Sequence, residues 1–224
     1  MNLFKGVYNK LLDYYGPQGW WPIIKEIDGD LKSYYDLNNS LKVSSEEEKL
    51  EICIGAILTQ NTTWKNAERA LINLKRNNLL SVKKLEKLEK EKLAEIIKAS
   101  GYYNQKAKKI KKFIKFLKSN KEINRENLLE VWGIGPETVD CILLYAYNRP
   151  YFVIDAYTKR IFNRLGVCSQ KIDYHKLQSQ FQQNIERDTY IYKEYHALIV
   201  KHCKDYCKKS PKCGKCPIRD YCKN

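Results

Sequence analysis

What the chain lacks narrows its class first. No segment approaches about 18 uninterrupted apolar residues, the length a membrane-crossing helix requires, so a spanning helix is excluded. The opening stretch MNLFKGVYNKLLDYYG has no charged-then-apolar layout of a secretory signal, which points to an intracellular, cytoplasmic protein. Beyond YFVID at 151–155 there is no run of alternating β-branched residues, and an extensive sheet is excluded with it. Methionine occurs once. Beside abundant lysine and isoleucine, that fits a thermophilic source or an AT-rich genome equally well. Acid is scarce too: 26 Asp and Glu face 41 Lys and Arg, a formal charge of +15. Such an excess points to a polyanionic partner, nucleic acid ahead of a membrane surface.

With 224 residues and 43% hydrophobic content, the chain can bury a core as one large domain or two small ones. Apolar positions recur at helical spacing almost throughout, which predicts an all-α fold. Ser44 and Ser45 followed by Glu46, Glu47 and Glu48 mark a helix start, with acids at the positive end of the dipole. Behind them Leu50, Ile54, Ile57 and Leu58 line one buried face. Further helices are predicted over 64–77, 83–99, 104–118, 126–131, 136–147, 156–165, 172–183 and 190–206, with Gly101 as the stop after 83–99. The run VKKLEKLEKEKLAEIIK keeps Leu85, Leu88, Leu93, Ile96 and Ile97 apolar and reads as a helix with a solvated face. NQKAKKIKKFIKFLK is more basic and suits either phosphates or solvent.

Five of the eight cysteines fall in the last 22 residues, while Cys53, Cys141 and Cys168 are scattered in apolar sequence and read as core fillers. In HCKDYCKKSPKCGKCPIRDYC, Cys207, Cys213, Cys216 and Cys222 follow the spacing C-x5-C-x2-C-x5-C. Four thiolates on a compact loop meet the ligand count of a [4Fe–4S] cluster. Zinc also takes four cysteines but favours two short-spaced pairs; only Cys213 and Cys216 form one, so zinc stands as the alternative metal. The lysines and Arg219 around this loop could be held against a phosphate backbone.

The stretch VWGIGPETVDCILLYA at 131–146 drops from a tight turn into an apolar helix. Gly133 and Gly135 flank Ile134 and permit positive φ, and Pro136 suits the first helical position. Such a turn aims backbone N–H groups outward, where a phosphate fits; a plain helix corner has the same pattern. Twenty residues after Gly135, Asp155 closes the apolar run YFVID and precedes a helix carrying Lys159, Arg160 and Arg164. It suits an N-cap, and a capping carboxylate can also do chemistry.

This combination of hairpin, spaced aspartate and four-cysteine end resembles the helix-hairpin-helix DNA glycosylase superfamily, in its endonuclease III-like iron–sulfur branch. GAILTQNT at 55–62 resembles the family's helix end with a DNA-wedging glutamine, here Gln60, and GYYNQKAKKI at 101–110 resembles its Gly-x-Tyr-Asn-x-Lys-Ala segment. EYHALIVKHC resembles the histidine-containing helix that enters the cluster, with Cys203 at a position usually glycine, so that Cys207 becomes the first ligand. The first cysteine gap is five residues where the best-known members have six. The likeness extends over about residues 45–222.

The resemblance implies two helical lobes with a basic DNA-binding cleft between them. Residues 41–147 would form a helical-barrel lobe with the hairpin, and 1–40 with 148–224 a cluster lobe built by both termini. It implies a monomer acting on double-stranded DNA that contains damaged bases, flipping and excising the target. Gly133, Ile134 and Gly135 would hold a phosphate, Gln60 would fill the gap, and Asp155 would stabilise positive charge building on the sugar. Members that also cut the strand carry a lysine two residues after the second glycine. Glu137 stands there and cannot form an imine, which implies a monofunctional glycosylase using water; Lys159, in the next helix, is the alternative amine.

Trp20, Trp21 and Pro22, with Trp64 beyond Gln60, resemble the 3-methyladenine DNA glycosylase branch, in which aromatic rings sandwich the flipped purine. An alkylated, cationic base stacks well on indole faces; core packing would use the same tryptophans. Three readings follow: an alkylpurine glycosylase, an endonuclease III-type glycosylase with lyase activity on oxidised pyrimidines or mismatches, and a DNA-binding module without chemistry.

Overall fold

The computed structural model describes residues 2–38, 43 and 45–223. Among the described residues the fold is all-α apart from one hairpin, and the chain divides into two compact units. The first is built from residues 21–35 and 41–148, the second from 1–20, 36–40 and 149–224.

In the first unit, strands β1 (Ile23–Ile27) and β2 (Asp30–Tyr34) form an antiparallel pair in which Ile23 faces Tyr34 and Ile27 faces Asp30. Asp28 and Gly29 close it with φ of 54° and 80°, the left-handed pair that a two-residue hairpin loop requires. No strand was expected here, and residues 1–40 were expected to lie wholly with the cluster lobe. Residues 21–35 belong instead with the first unit, held there by two contacts. The Ile24 N–H donates to the buried carboxylate of Glu51 at 2.5 Å, and the Trp21 indole lies so close to Gly55 that a Cβ there would sit 2.9 Å from the ring.

Glu51 and Gly55 belong to α2 (Glu46–Leu58). Ser45 caps this helix in a reciprocal box, its hydroxyl accepting from the Glu48 N–H at 3.1 Å; Ser44 lies outside the described residues. Rather than one buried face, α2 is buried from Leu50 to Leu58 on every side, as expected of a helix at the centre of a core. Around it run α3 (Trp64–Arg76), α4 (Val82–Lys87), α5 (Lys90–Ile96), α6 (Tyr103–Leu117), α7 (Arg125–Leu129) and α8 (Pro136–Cys141), the last continuing as a π-helical turn over Ile142–Ala146. The single helix expected at 83–99 is broken at Leu88 and Glu89, both extended. Lys111 explains the break: its ammonium donates to the carbonyls of Leu85, Glu86 and Leu88, which the end of α4 leaves without amide partners.

The second unit holds α1 (Leu3–Tyr15), α9 (Ala156–Arg164), α10 (Tyr174–Asn184), α11 (Thr189–Asp205) and the cysteine loop. Its core is aromatic: Phe162 stacks on Phe4 at 5.0 Å and Phe152 on Phe181 at 3.9 Å. YFVID does not form a strand. Its carbonyl and amide groups are taken by side chains of α10, with Gln178 donating to the Phe152 carbonyl at 2.8 Å and the Ile154 N–H donating to the Tyr174 hydroxyl at 3.4 Å. Phe152, Val153 and Ile154 are buried, which anchors the chain just before Asp155. Among the described residues no helix is long and apolar enough to cross a membrane.

Candidate active site

In the first unit, the hairpin turn and the end of α2 are joined through one side chain. Gln60 donates to the Gly133 carbonyl at 3.3 Å and to the Thr138 hydroxyl at 2.9 Å, while its own amide oxygen accepts from Lys109. Only Gly133 uses positive φ, at 82°; Gly135 is extended and serves as the N-cap of α8. The two glycines therefore do different work. A Cβ at Gly133 would strike Lys109 at 2.7 Å, whereas a Cβ at Gly135 would meet nothing within 4 Å. Ile134 between them is buried and pins the turn, and Glu137 stands exposed in the first turn of α8.

Gln60 also lines a groove of about 400 Å³ with Asn61, Tyr102, Gln105, Lys106, Lys109, Trp132 and Gly133. Of these, only Gln60 and Gly133 are marked by the sequence; two of the others present large exposed rings. Tyr102 is 70% exposed and holds a left-handed backbone with φ of 46°, a conformation that costs a bulky residue energy. Trp132 is 46% exposed, and the ammonium of Lys108 lies 4.2 Å from its ring centre. Large exposed rings beside a glycine turn are a surface signal, and spacing along the chain does not carry it.

The basic run of α6 divides its lysines. Lys106 is buried and donates to the carbonyls of Leu58 and Ser100 at 2.8 and 2.7 Å; burial, helped by Lys109, lowers its pKa to about 8. Lys111 closes α4, Lys118 pairs with Glu86, and Lys112 and Lys115 are exposed.

Of the four aromatic-pocket residues, Trp21, Pro22 and Trp64 lie in the first unit and Trp20 in the second. Trp21 packs edge-on to Trp64 at 5.4 Å and against Tyr145 at 5.5 Å. Pro22 is buried.

In the second unit, Asp155 is the N-cap of α9 and keeps its carboxylate in a fixed setting. One oxygen accepts from the Thr158 N–H at 2.7 Å and from its hydroxyl at 2.8 Å; the other faces His196 Nε2 at 3.7 Å. Burial opposes the charge, but His196 and the two Thr158 donors outweigh it and hold the carboxyl below the ordinary aspartate range. Lys159 is engaged elsewhere, donating to the Ile172 carbonyl at 3.1 Å.

Cys207, Cys213, Cys216 and Cys222 all line one cavity of the second unit, as free thiols. Cys203 is buried and turns to the Tyr157 carbonyl at 3.6 Å. Around the cavity Arg164 donates to Cys207 Sγ at 3.1 Å and to the carbonyls of Lys208 and Lys209, and Arg160 donates to the Cys207 carbonyl at 2.8 Å. A hydrogen bond from Cys203 together with Arg164 outweighs burial and holds the Cys207 thiol below its usual range, the direction a ligand thiolate needs. Four free sulfurs on one cavity wall, edged by two arginines, fit a polynuclear anionic cluster.

Residues 54–187 match the HhH-GPD superfamily of base excision DNA repair proteins. The chain belongs to that superfamily. Residues 208–222 match the iron–sulfur binding domain of endonuclease III, so the metal is a [4Fe–4S] cluster and not the zinc alternative. The HhH-GPD assignment makes the protein a DNA-binding base excision repair glycosylase. The Methanocaldococcus jannaschii protein MJ1434, provisionally named a DNA repair glycosylase, is 44% identical over 96% of this chain and 94% of its own length. Endonuclease III of Sulfolobus acidocaldarius is 30% identical over 76% of this chain and 79% of its own. Among solved structures, the H. pylori 3-methyladenine DNA glycosylase bound to ethenoadenine superposes with a TM-score of 0.70 at 27% identity, covering 91% of this chain and 98% of that one.

Proposed function

We propose that this protein is a monofunctional DNA glycosylase that removes alkylated purines from double-stranded DNA, acting as a monomer inside the cell. The observation that carries the reading is the exposed carboxylate of Glu137, two residues past Gly135, where a strand-cutting member has its amine. A carboxylate cannot attack the sugar to form an imine, so water becomes the nucleophile.

In this reading the backbone N–H groups of Gly133 and Gly135 grip a phosphate, while the Ile134 N–H, expected to join them, donates instead to the Val131 carbonyl at 3.1 Å and closes the turn; the open space over Gly135 leaves room for the phosphate. Gln60 fills the gap left by the flipped nucleotide, with Tyr102 beside it as a second side chain for the DNA. Asp155, already ionised and held by Thr158, stabilises the positive charge that develops on the sugar as the N-glycosidic bond breaks, and orients the attacking water. An alkylated purine is cationic and leaves readily, so one carboxylate suffices. Trp21 and Trp64 supply electron-rich faces to such a base, and the similarity to the H. pylori enzyme supports the same class. Cys207, Cys213, Cys216 and Cys222 hold the cluster, which orders the loop and its basic side chains.

A second reading, an endonuclease III-type glycosylase with lyase activity on oxidised pyrimidines or mismatches, is favoured by the Sulfolobus relative. Base release from duplexes carrying 3-methyladenine, 7-methylguanine, thymine glycol, uracil or a G·T mismatch separates the two. Release confined to the methylpurines supports the proposal; release of thymine glycol with strand cutting supports the second reading.

A further inference from the structure

A cluster ligand must be a thiolate, and that requirement fixes the proton on a neighbouring histidine. His202, on α11, is fully buried. Its Nε2 lies 3.5 Å from Cys216 Sγ, and its Nδ1 lies 3.1 Å from the hydroxyl of Tyr15, the last residue of α1. Tyr206 stacks on the ring with centroids 5.6 Å apart and planes 24° from parallel, which holds the imidazole plane in the line between the two partners.

A neutral imidazole carries one N–H and one lone pair, on opposite sides of the ring, and the two partners of His202 lie on those two sides. A metal-bound thiolate accepts hydrogen bonds and donates none. The hydrogen therefore sits on Nε2, Nδ1 keeps the lone pair, and the Tyr15 hydroxyl is the group that donates into it. We infer that Tyr15, His202 and Cys216 form a directed hydrogen-bond relay, Tyr15 O–H to Nδ1 and Nε2–H to the thiolate, that raises the reduction potential of the cluster. The inference rests on Cys216 being a cluster ligand. The physical cause is that a donor on a ligand sulfur draws electron density from it and stabilises the reduced state. His202 differs here from Arg164 at Cys207, which brings a positive charge as well as a donor. The role is one of positioning and tuning, since His202 touches neither DNA nor base in this scheme.

The test uses the purified holoprotein, with iron and sulfide content, voltammetric midpoint potential and resonance Raman Fe–S stretching frequencies as readouts. His202→Phe keeps the ring bulk and removes the donor, and His202→Gln restores a donor. With full iron and sulfide, the Phe variant is expected to show a more negative potential and higher stretching frequencies, and the Gln variant a return toward wild type. A fully loaded Phe variant with unchanged potential and frequencies overturns the relay. Should that variant fail to load, the ¹⁵N shifts of His202 in the wild-type holoprotein decide: an Nε2–H tautomer supports the relay and an Nδ1–H tautomer overturns it. A Cys216→Ala variant, which has no ligating atom at this position, that keeps full iron and sulfide defeats the ligand assignment itself, and the relay falls with it.

Discussion

The side-chain amide of Gln60 donates to the hydroxyl of Thr138 at 2.9 Å, tying the end of α2 to the first turn of α8. The wedge proposed for the DNA stack is thus held by the same turn that is proposed to grip the phosphate. Replacing Gln60 with Ala removes the contacts to Thr138, Gly133 and Lys109, at about 1 kcal/mol for each net hydrogen bond. Base release from fully paired duplex should fall by roughly tenfold or more, and release from a target already unpaired should fall less, because less unstacking is needed there. Equal losses on both substrates would count against a wedge.

Gly133 and Gly135 should separate folding from binding. Gly133→Ala places a Cβ 2.7 Å from Lys109 at a φ of 82°, and is expected to lower stability by about 1–3 kcal/mol, read as a fall in Tm. Gly135→Ala has open space and an extended backbone, so Tm should stay near wild type while DNA affinity drops roughly tenfold or more, the size of one or two lost charge-assisted contacts.

Asp155→Asn keeps a side-chain oxygen for the Thr158 N–H, so the cap survives, but the charge does not. Base release should fall by roughly a hundredfold or more, and Tm should fall modestly at neutral pH because the variant lacks the charge that His196 and Thr158 favour. Because the wild-type carboxyl is held below its ordinary value of 3.8, activity should persist as pH falls to that value and decline only below it. The sign for stability is the same. The group's contribution is fully present above the unfolded-state pKa and is lost as pH falls through the lower folded-state value. An acid limb that begins above pH 4.5, at the 4.5 reference value of a glutamate and above that of Asp155, would assign it to another group.

Several parts of the molecule were legible in the residues for clear physical reasons. Four cysteines in 16 residues, Cys207 to Cys222, can converge on one cavity because the loop is short. Asp155 reads as a cap because it separates a buried apolar run from an amphipathic helix. The β1–β2 hairpin carries one clear local signal, the two-residue turn Asp28-Gly29, and the charged residues of the two strands mask the rest. YFVID carries the same β-branched character yet stays irregular, since α10 side chains satisfy its backbone from a distance in sequence that local patterning does not span. The break at Leu88 depends on Lys111, 23 residues away, and so was not readable from its own helix. Tyr102 and Trp132 needed surface exposure to stand out.

Glu137→Lys returns an amine to the first turn of α8. Borohydride reduction in the presence of damaged duplex should trap a covalent adduct with this variant and none with the wild type. Trapping by the wild type would point to a catalytic amine elsewhere, with Lys159 the nearest to Asp155 in sequence.

The chemistry proposed for Asp155 and Glu137 is base removal without strand cutting. Its most direct measurement follows a duplex with one 3-methyladenine, treated with wild-type protein and run on a denaturing gel with and without alkali, while the released base is collected. Free 3-methyladenine, an intact strand before alkali and a cut strand after it are the expected result. Strand cleavage without alkali, or no free 3-methyladenine, would contradict it.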